Sequence, residues 1–122
     1  MRQAMIDTKL KADIAESAVV TQLLRRGFKV LRPVGDRLPY DLVVDLDGHF
    51  LRLQIKSAWY EARKGLYTVD SRRTKTNRLR MLRALYESKD FDFAILYIPG
   101  RDVFYVMPVD VFIVYRSGIS LV

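Results

Sequence analysis

The chain has no cysteine and only one histidine among its 122 residues. The first absence excludes disulfides, thiolate metal sites and thiol nucleophiles, and it fits a reducing compartment. The second excludes a histidine-rich metal centre, and His49 reads as a plain turn residue. Long apolar runs are also missing. Those near the C-terminus are cut by Pro99-Gly100 and by Pro108, well short of a membrane span. At the other end Arg2, Asp7, Lys9, Lys11 and Asp13 break up any apolar core of a secretory signal.

Acidic residues are scarce relative to basic ones, 14 against 21, which leaves a net charge of +7 and a pI near 9.9. That balance points to a polyanionic partner, nucleic acid ahead of an acidic membrane surface. The expected setting is cytoplasmic and nucleoid-associated, with no membrane partner and no small-molecule substrate. Half of the residues are hydrophobic, and a chain of this length suits one domain, 1–122, around one core.

The charge excess is local. Residues 61–83 carry Arg63, Lys64, Arg72, Arg73, Lys75, Arg78, Arg80 and Arg83 against only Glu61 and Asp70, or six of the seven excess charges. Leu66–Val69 reads as a short strand, and Leu79, Leu82, Leu85 and Tyr86 recur at a spacing that predicts a helix over 74–88. On this reading Arg72, Arg73, Lys75 and Arg78 project from a loop and the first helical turns as a phosphate grip. Arg63 and Lys64, with Lys9, Lys11 and Arg37 elsewhere in the chain, complete the candidate DNA-binding set.

The organising stretch is 39–56, PYDLVVDLDGHFLRLQIK. Asp47-Gly48 between two Val-, Leu- and Ile-rich arms predicts a hairpin with a two-residue type I′ turn, since both central residues must tolerate positive φ. The register then sets Leu46 opposite His49 and Asp41 opposite Gln54. Alternation assigns Leu42, Val44, Leu46, Leu51, Leu53 and Ile55 to the core face. It leaves Asp41, Val43, Asp45, Phe50, Arg52, Gln54 and Lys56 on the other. Asp41, Gln54 and Lys56 converge at the open end of the hairpin. Two oxygen ligands beside an ammonium suit a hard divalent ion and an activated water, whereas the plainer account is an Asp41–Lys56 surface ion pair with Gln54 as polar filler.

A first helix is predicted over 8–26, N-capped by Thr8 and stopped by Gly27. On it Glu16 is flanked at helical spacing by Ala12, Val19, Val20 and Leu23. It either snorkels from the edge of the apolar stripe or supplies a third oxygen ligand to the hairpin site. A strand over 28–32 and a Pro- and Gly-containing loop over 33–39 follow, in which Asp36 either hydrogen-bonds its own loop backbone, the favoured role, or sits near the metal. The second hairpin arm is expected to run on through Ser57, Ala58 and Trp59, with Trp59 and Tyr60 as core or sheet-edge packing. Strands over 91–98 and 103–107 form a second hairpin. Residues 109–115 are open between helix and strand, 119–122 form an edge strand, and the apolar density of this end suggests self-association.

A helix glutamate, a loop Gly-Asp, Pro-x-Asp and then Gln-x-Lys, in that order, resembles the PD-(D/E)XK nuclease superfamily. The likeness is greatest to the branch of group I intron-associated homing endonucleases. It spans about residues 8–58, with a weaker match in FAILYIPGRDVFYVMPVDVF. The resemblance implies an α/β fold, a restriction-endonuclease-like mixed β-sheet with flanking helices in the order αβββαβ. It also implies hydrolysis of phosphodiester bonds in double-stranded DNA with Mg²⁺, for which Mn²⁺ substitutes; symmetric double-strand cutting then calls for a homodimer or homotetramer. Glu16 and Asp41 correspond to metal ligands, Gln54 stands where the family usually has an acid and completes the metal shell, and Lys56 is the motif lysine. Gln54 is a departure, shared with the homing branch; Tyr40 between Pro39 and Asp41 is a second. A Holliday-junction resolvase-like nuclease and a DNA-binding module without catalysis are the alternatives.

Overall fold

A computed structural model describes residues 7–76 and 81–121. The chain opens with helix α1, Thr8–Arg25, capped by the Asp7 carboxylate, which accepts a hydrogen bond from the Leu10 amide at 3.0 Å. The cap therefore lies one residue before the expected Thr8, because a carboxylate satisfies the open amides better than a hydroxyl at a position the backbone can bend. Gly27, at φ +84°, reverses the chain after the helix.

Strands β1 (Lys29–Leu31), β2 (Leu42–Leu46) and β3 (His49–Ser57) form an antiparallel meander. β2 and β3 pair as the turn chemistry dictates, Leu46 opposite His49 and Leu42 opposite Leu53, around Asp47 at φ 53° and Gly48 at φ 95°. The Gly48 amide donates to the Asp45 carboxylate at 2.8 Å, which locks the turn. β3 stops at Ser57, earlier than expected. The Ala58 amide turns to the Tyr97 carbonyl at 2.8 Å, and the chain then enters a different sheet as β4 (Trp59–Glu61). There Trp59 and Tyr60 lie on an edge strand, and the Tyr60 ring meets Tyr67 edge-on at 5.3 Å.

β4 pairs with β5 (Leu66–Asp70), and the chain then forms a two-stranded ribbon of β6 (Arg73–Thr76) and β7 (Met81–Ala84). Where the segment is described, on either side of 77–80, the helix expected over 74–88 is thus replaced by a ribbon. Two β-branched threonines in four residues of β6 favour extended backbone, and the apolar spacing behind the helical reading spans barely two turns. β8 (Phe93–Ile98) and β9 (Val103–Pro108) complete the main sheet, followed by the short helix α2 (Val109–Phe112) and β10 (Gly118–Leu121). α2 resolves the segment that pattern alone left open.

The main sheet has the order β1-β2-β3-β8-β9, antiparallel except where β3 and β8 run parallel. A smaller sheet has the order β10-β5-β4. β8 is apolar at every position because both of its faces are covered. Ile95 and Tyr97 join the core beneath α1 with Ala15, Val19, Leu42, Val44, Leu53 and Ile55. Ala94, Leu96 and Ile98 join a second core with Phe91, Phe112, Val69, Ile119 and Tyr86.

This second cover does not extend over the whole sheet. On the outer face of β3, exposure falls from 61% at Phe50 to 8% at Gln54. The hairpin tip is open as well, so Leu46, expected in the core, is 36% exposed. Polar residues on that face therefore sit at the border between a covered and an open sheet.

Candidate active site

Asp41 enters β2 directly from the loop over 33–40. Its backbone amide donates to the Leu53 carbonyl at 2.8 Å, and its Oδ2 accepts from the Ile55 amide, also at 2.8 Å. The carboxylate is thus clamped across the hairpin by the chain it pairs with. Burial pushes its pKa from the ordinary 3.8 up to about 6, and the nearby Glu16 pushes the same way, while the Ile55 amide and Lys56 oppose them.

Glu16 lies mid-way along α1, just beside the buried Ala15 and Val19, and reaches past the apolar stripe. Its Oε1 accepts from the Arg32 guanidinium, Nε to Oε1 2.9 Å. Glu16 and Asp41 line one cavity of about 200 Å³, with Arg32, Asp36 and Tyr40 on the same wall. The structure therefore brings together a helix glutamate and a strand aspartate separated by 25 positions in the chain.

Gln54 and Lys56 are not on that wall. Gln54, buried on the adjacent arm, donates through Nε2 to the Ile55 carbonyl at 3.4 Å. The Lys56 ammonium donates to the Arg72 carbonyl at 2.8 Å and lies 5.0 Å from the centre of the Tyr86 ring. That ring packs edge-on against Phe91 and Phe112 at 5.3 and 5.9 Å. The lysine is held from the second core; the two carboxylates are held from the first.

No group of three or more His, Cys, Asp and Glu converges as a metal cage among the described residues. The pair Glu16 and Asp41 nevertheless fits a divalent ion in chemistry. Both are hard oxygen donors lining one cavity, and Glu16 raises the cost of charge on Asp41, which a cation would relieve.

The basic residues are dispersed. Lys9 and Lys11 lie on the first half of α1, Arg37 is exposed in the loop before Asp41, and Arg63 and Lys64 are exposed in the β4–β5 turn. Arg72 is engaged by Asp70, with Nε to Oδ1 at 3.0 Å and Nη2 to Oδ2 at 3.3 Å. Arg73 and Lys75 lie in β6, while Arg78 lies outside the described residues. Two charged residues of the lining, Asp36 and Arg32, stand outside the candidate set. Asp36, for which sequence favours a turn role over a place near the metal, lies in the cavity lining. Arg32 gave no signal, because nothing in a linear pattern places the end of β1 beside the middle of α1.

The PD-(D/E)XK endonuclease family matches residues 6–122. The chain belongs to that family and is an endonuclease acting on DNA. Among solved structures it is similar to the bacterial homing endonuclease I-Ssp6803I, at 51% identity and a TM-score of 0.86, over 96% of this chain and 79% of that one. No curated protein matches. Nucleases of this family generally use divalent metal ions. Among the described residues no helix is long and apolar enough to cross a membrane.

Proposed function

We propose that the chain is a single-domain, Mg²⁺-dependent deoxyribonuclease that cuts duplex DNA in the manner of a homing endonuclease, with Mn²⁺ able to replace Mg²⁺. The observation that carries the site assignment is the shared wall of Glu16 and Asp41. When bound there, a divalent ion would lower the pKa of a coordinated water and polarise the scissile phosphate.

The remaining work falls to the chain's own groups. Glu16 and Asp41 supply anionic oxygen ligands from two independent elements, and the Ile55 amide fixes the direction of the Asp41 carboxylate. Gln54 completes the shell with a neutral amide oxygen after rotation of its side chain. Lys56, half-buried with its ammonium over the Tyr86 ring, orients the attacking water or stabilises charge on the phosphate. Lys9, Lys11, Arg37, Arg63, Lys64, Arg73, Lys75 and Arg78 grip the backbone of the duplex, and Arg72 joins them if Asp70 releases it. Double-strand cutting calls for two or four copies of the chain. The likeness to I-Ssp6803I and the basic charge both support this reading, and they accord with a cytoplasmic, nucleoid-associated enzyme.

Incubation of supercoiled plasmid, linear duplex and a four-way junction with Mg²⁺ or Mn²⁺ tests it. Cleavage of the duplex substrates that Asp41→Ala abolishes is expected. Equal nicking by that variant would reject the site, and strong preference for the junction would favour a resolvase.

A further inference from the structure

Arg32 stands at the junction of two cavities. One is the wall shared by Glu16 and Asp41; the other is a groove of about 410 Å³ whose lining includes Leu31, Val43, Phe50 and Arg52, and Arg32, Pro33, Leu38 and Tyr40 belong to both. Its side chain is 58% exposed while it holds Glu16, itself 31% exposed. Solvent therefore reaches the ion pair, and exposed pairs of this kind shift an equilibrium only by a factor of roughly 1.5 to 5. Such a contact is readily exchanged.

We propose that Arg32 is a placeholder for the divalent cation: in the metal-free protein its guanidinium occupies Glu16, and it turns to a phosphate of the bound DNA once Glu16 takes up the ion. The inference rests on the assignment of Glu16 and Asp41 as the metal ligands. Two facts carry it beyond that assignment. Glu16 and the Arg32 that holds its Oε1 at 2.9 Å both line the cavity in which the ion would be held, so guanidinium and ion compete for one carboxylate. The arginine also already borders the neighbouring groove that shares its lining with the cavity, and its planar fork of donors matches phosphate oxygens. A fixed brace that merely orients Glu16 has the opposite signature. Removing a brace weakens metal binding, whereas removing a competitor strengthens it.

Calorimetric titration of Mn²⁺ into the DNA-free protein separates the two. Arg32→Gln, shown folded by thermal melting, is expected to bind Mn²⁺ about two- to fivefold more tightly than wild type. Its single-turnover cleavage at saturating metal is expected to fall by about tenfold or more, through loss of a charge-assisted contact to phosphate. Arg32→Lys keeps the competing charge without the fork, so its Mn²⁺ affinity should stay near wild type while its rate falls. Unchanged or weaker Mn²⁺ binding by Arg32→Gln overturns the placeholder, and cleavage at the wild-type rate overturns the phosphate contact. In wild-type protein, the Arg32 Nε–H resonance should lose its hydrogen-bonded shift on saturation with Mg²⁺; an unmoved resonance also overturns the exchange. Asp41→Asn serves as the control. If it binds Mn²⁺ as wild type does, the ligand assignment itself fails, whatever Arg32 does.

Discussion

An aspartate that is desolvated and faced by a glutamate is costly to charge, and Asp41 is both. A pKa of about 6 against the ordinary 3.8 corresponds to about 3 kcal/mol against the ionised form at neutral pH. Between those two values the folded state binds more protons than the unfolded chain, so this group makes stability fall as pH rises from about 4 to about 6 and stay low above. Metal-free Asp41→Asn keeps an acceptor for the Ile55 amide without the charge. Urea unfolding in EDTA at pH 7.5 should find it more stable than wild type by up to about 3 kcal/mol, with the gap closing toward pH 4 and inverting when Mg²⁺ is added. Gln54 makes the complementary case. Gln54→Glu would restore the family's usual acid at a site only 8% exposed and adjacent to Asp41. Without metal it should lose about 1–3 kcal/mol from burying an unpaired carboxyl, and it should gain more from Mg²⁺ than wild type does, as read by the rise in melting temperature.

Elements differ in how plainly the sequence writes them. The β2–β3 hairpin was legible to the residue, because Asp47-Gly48 allows one turn geometry and a period of two then assigns every side chain to a face. Glu16 was legible as an anomaly, a carboxylate beside an apolar stripe, although its partner was not. The ribbon of β6 and β7 was misread as a helix because three or four apolar residues fit either period when the segment is short. The parallel pairing of β3 and β8 had no local signal at all, since it joins strands 36 or more positions apart through groups such as Arg52 and Asp92. Asp92 accepts from the Arg52 amide at 2.7 Å and from its guanidinium at 3.2 Å, while the Asp92 amide returns a bond to the Arg52 carbonyl at 2.9 Å. The guanidinium holds the Asp92 carboxyl below the usual range. Asp92→Ala should therefore cost about 1–2 kcal/mol at pH 7, mostly from the orphaned amide. Because the native carboxyl is depressed, that deficit should shrink in chemical denaturation as pH drops through its lowered value, where wild type loses the same bonds.

At the scale of the molecule, the site lies between two cores that hold different parts of it. Val19, one turn from Glu16 on α1, is buried with Leu42 and Leu53. Phe112 is fully buried in the other core and supports Tyr86, whose ring lies beneath the Lys56 ammonium. A loosened α1 should misplace a carboxylate, whereas a loosened second core should misplace the lysine. Val19→Ala and Phe112→Leu each remove a modest buried volume and should each cost on the order of 1–2 kcal/mol. Their functional effects should nevertheless part. Val19→Ala is expected to weaken Mn²⁺ binding severalfold with little change in the cleavage rate at saturating metal. Phe112→Leu is expected to leave Mn²⁺ affinity near wild type and to slow single-turnover cleavage. The same pattern of loss in both variants would mean that the two cores act as one body, and that carboxylates and lysine are not positioned independently.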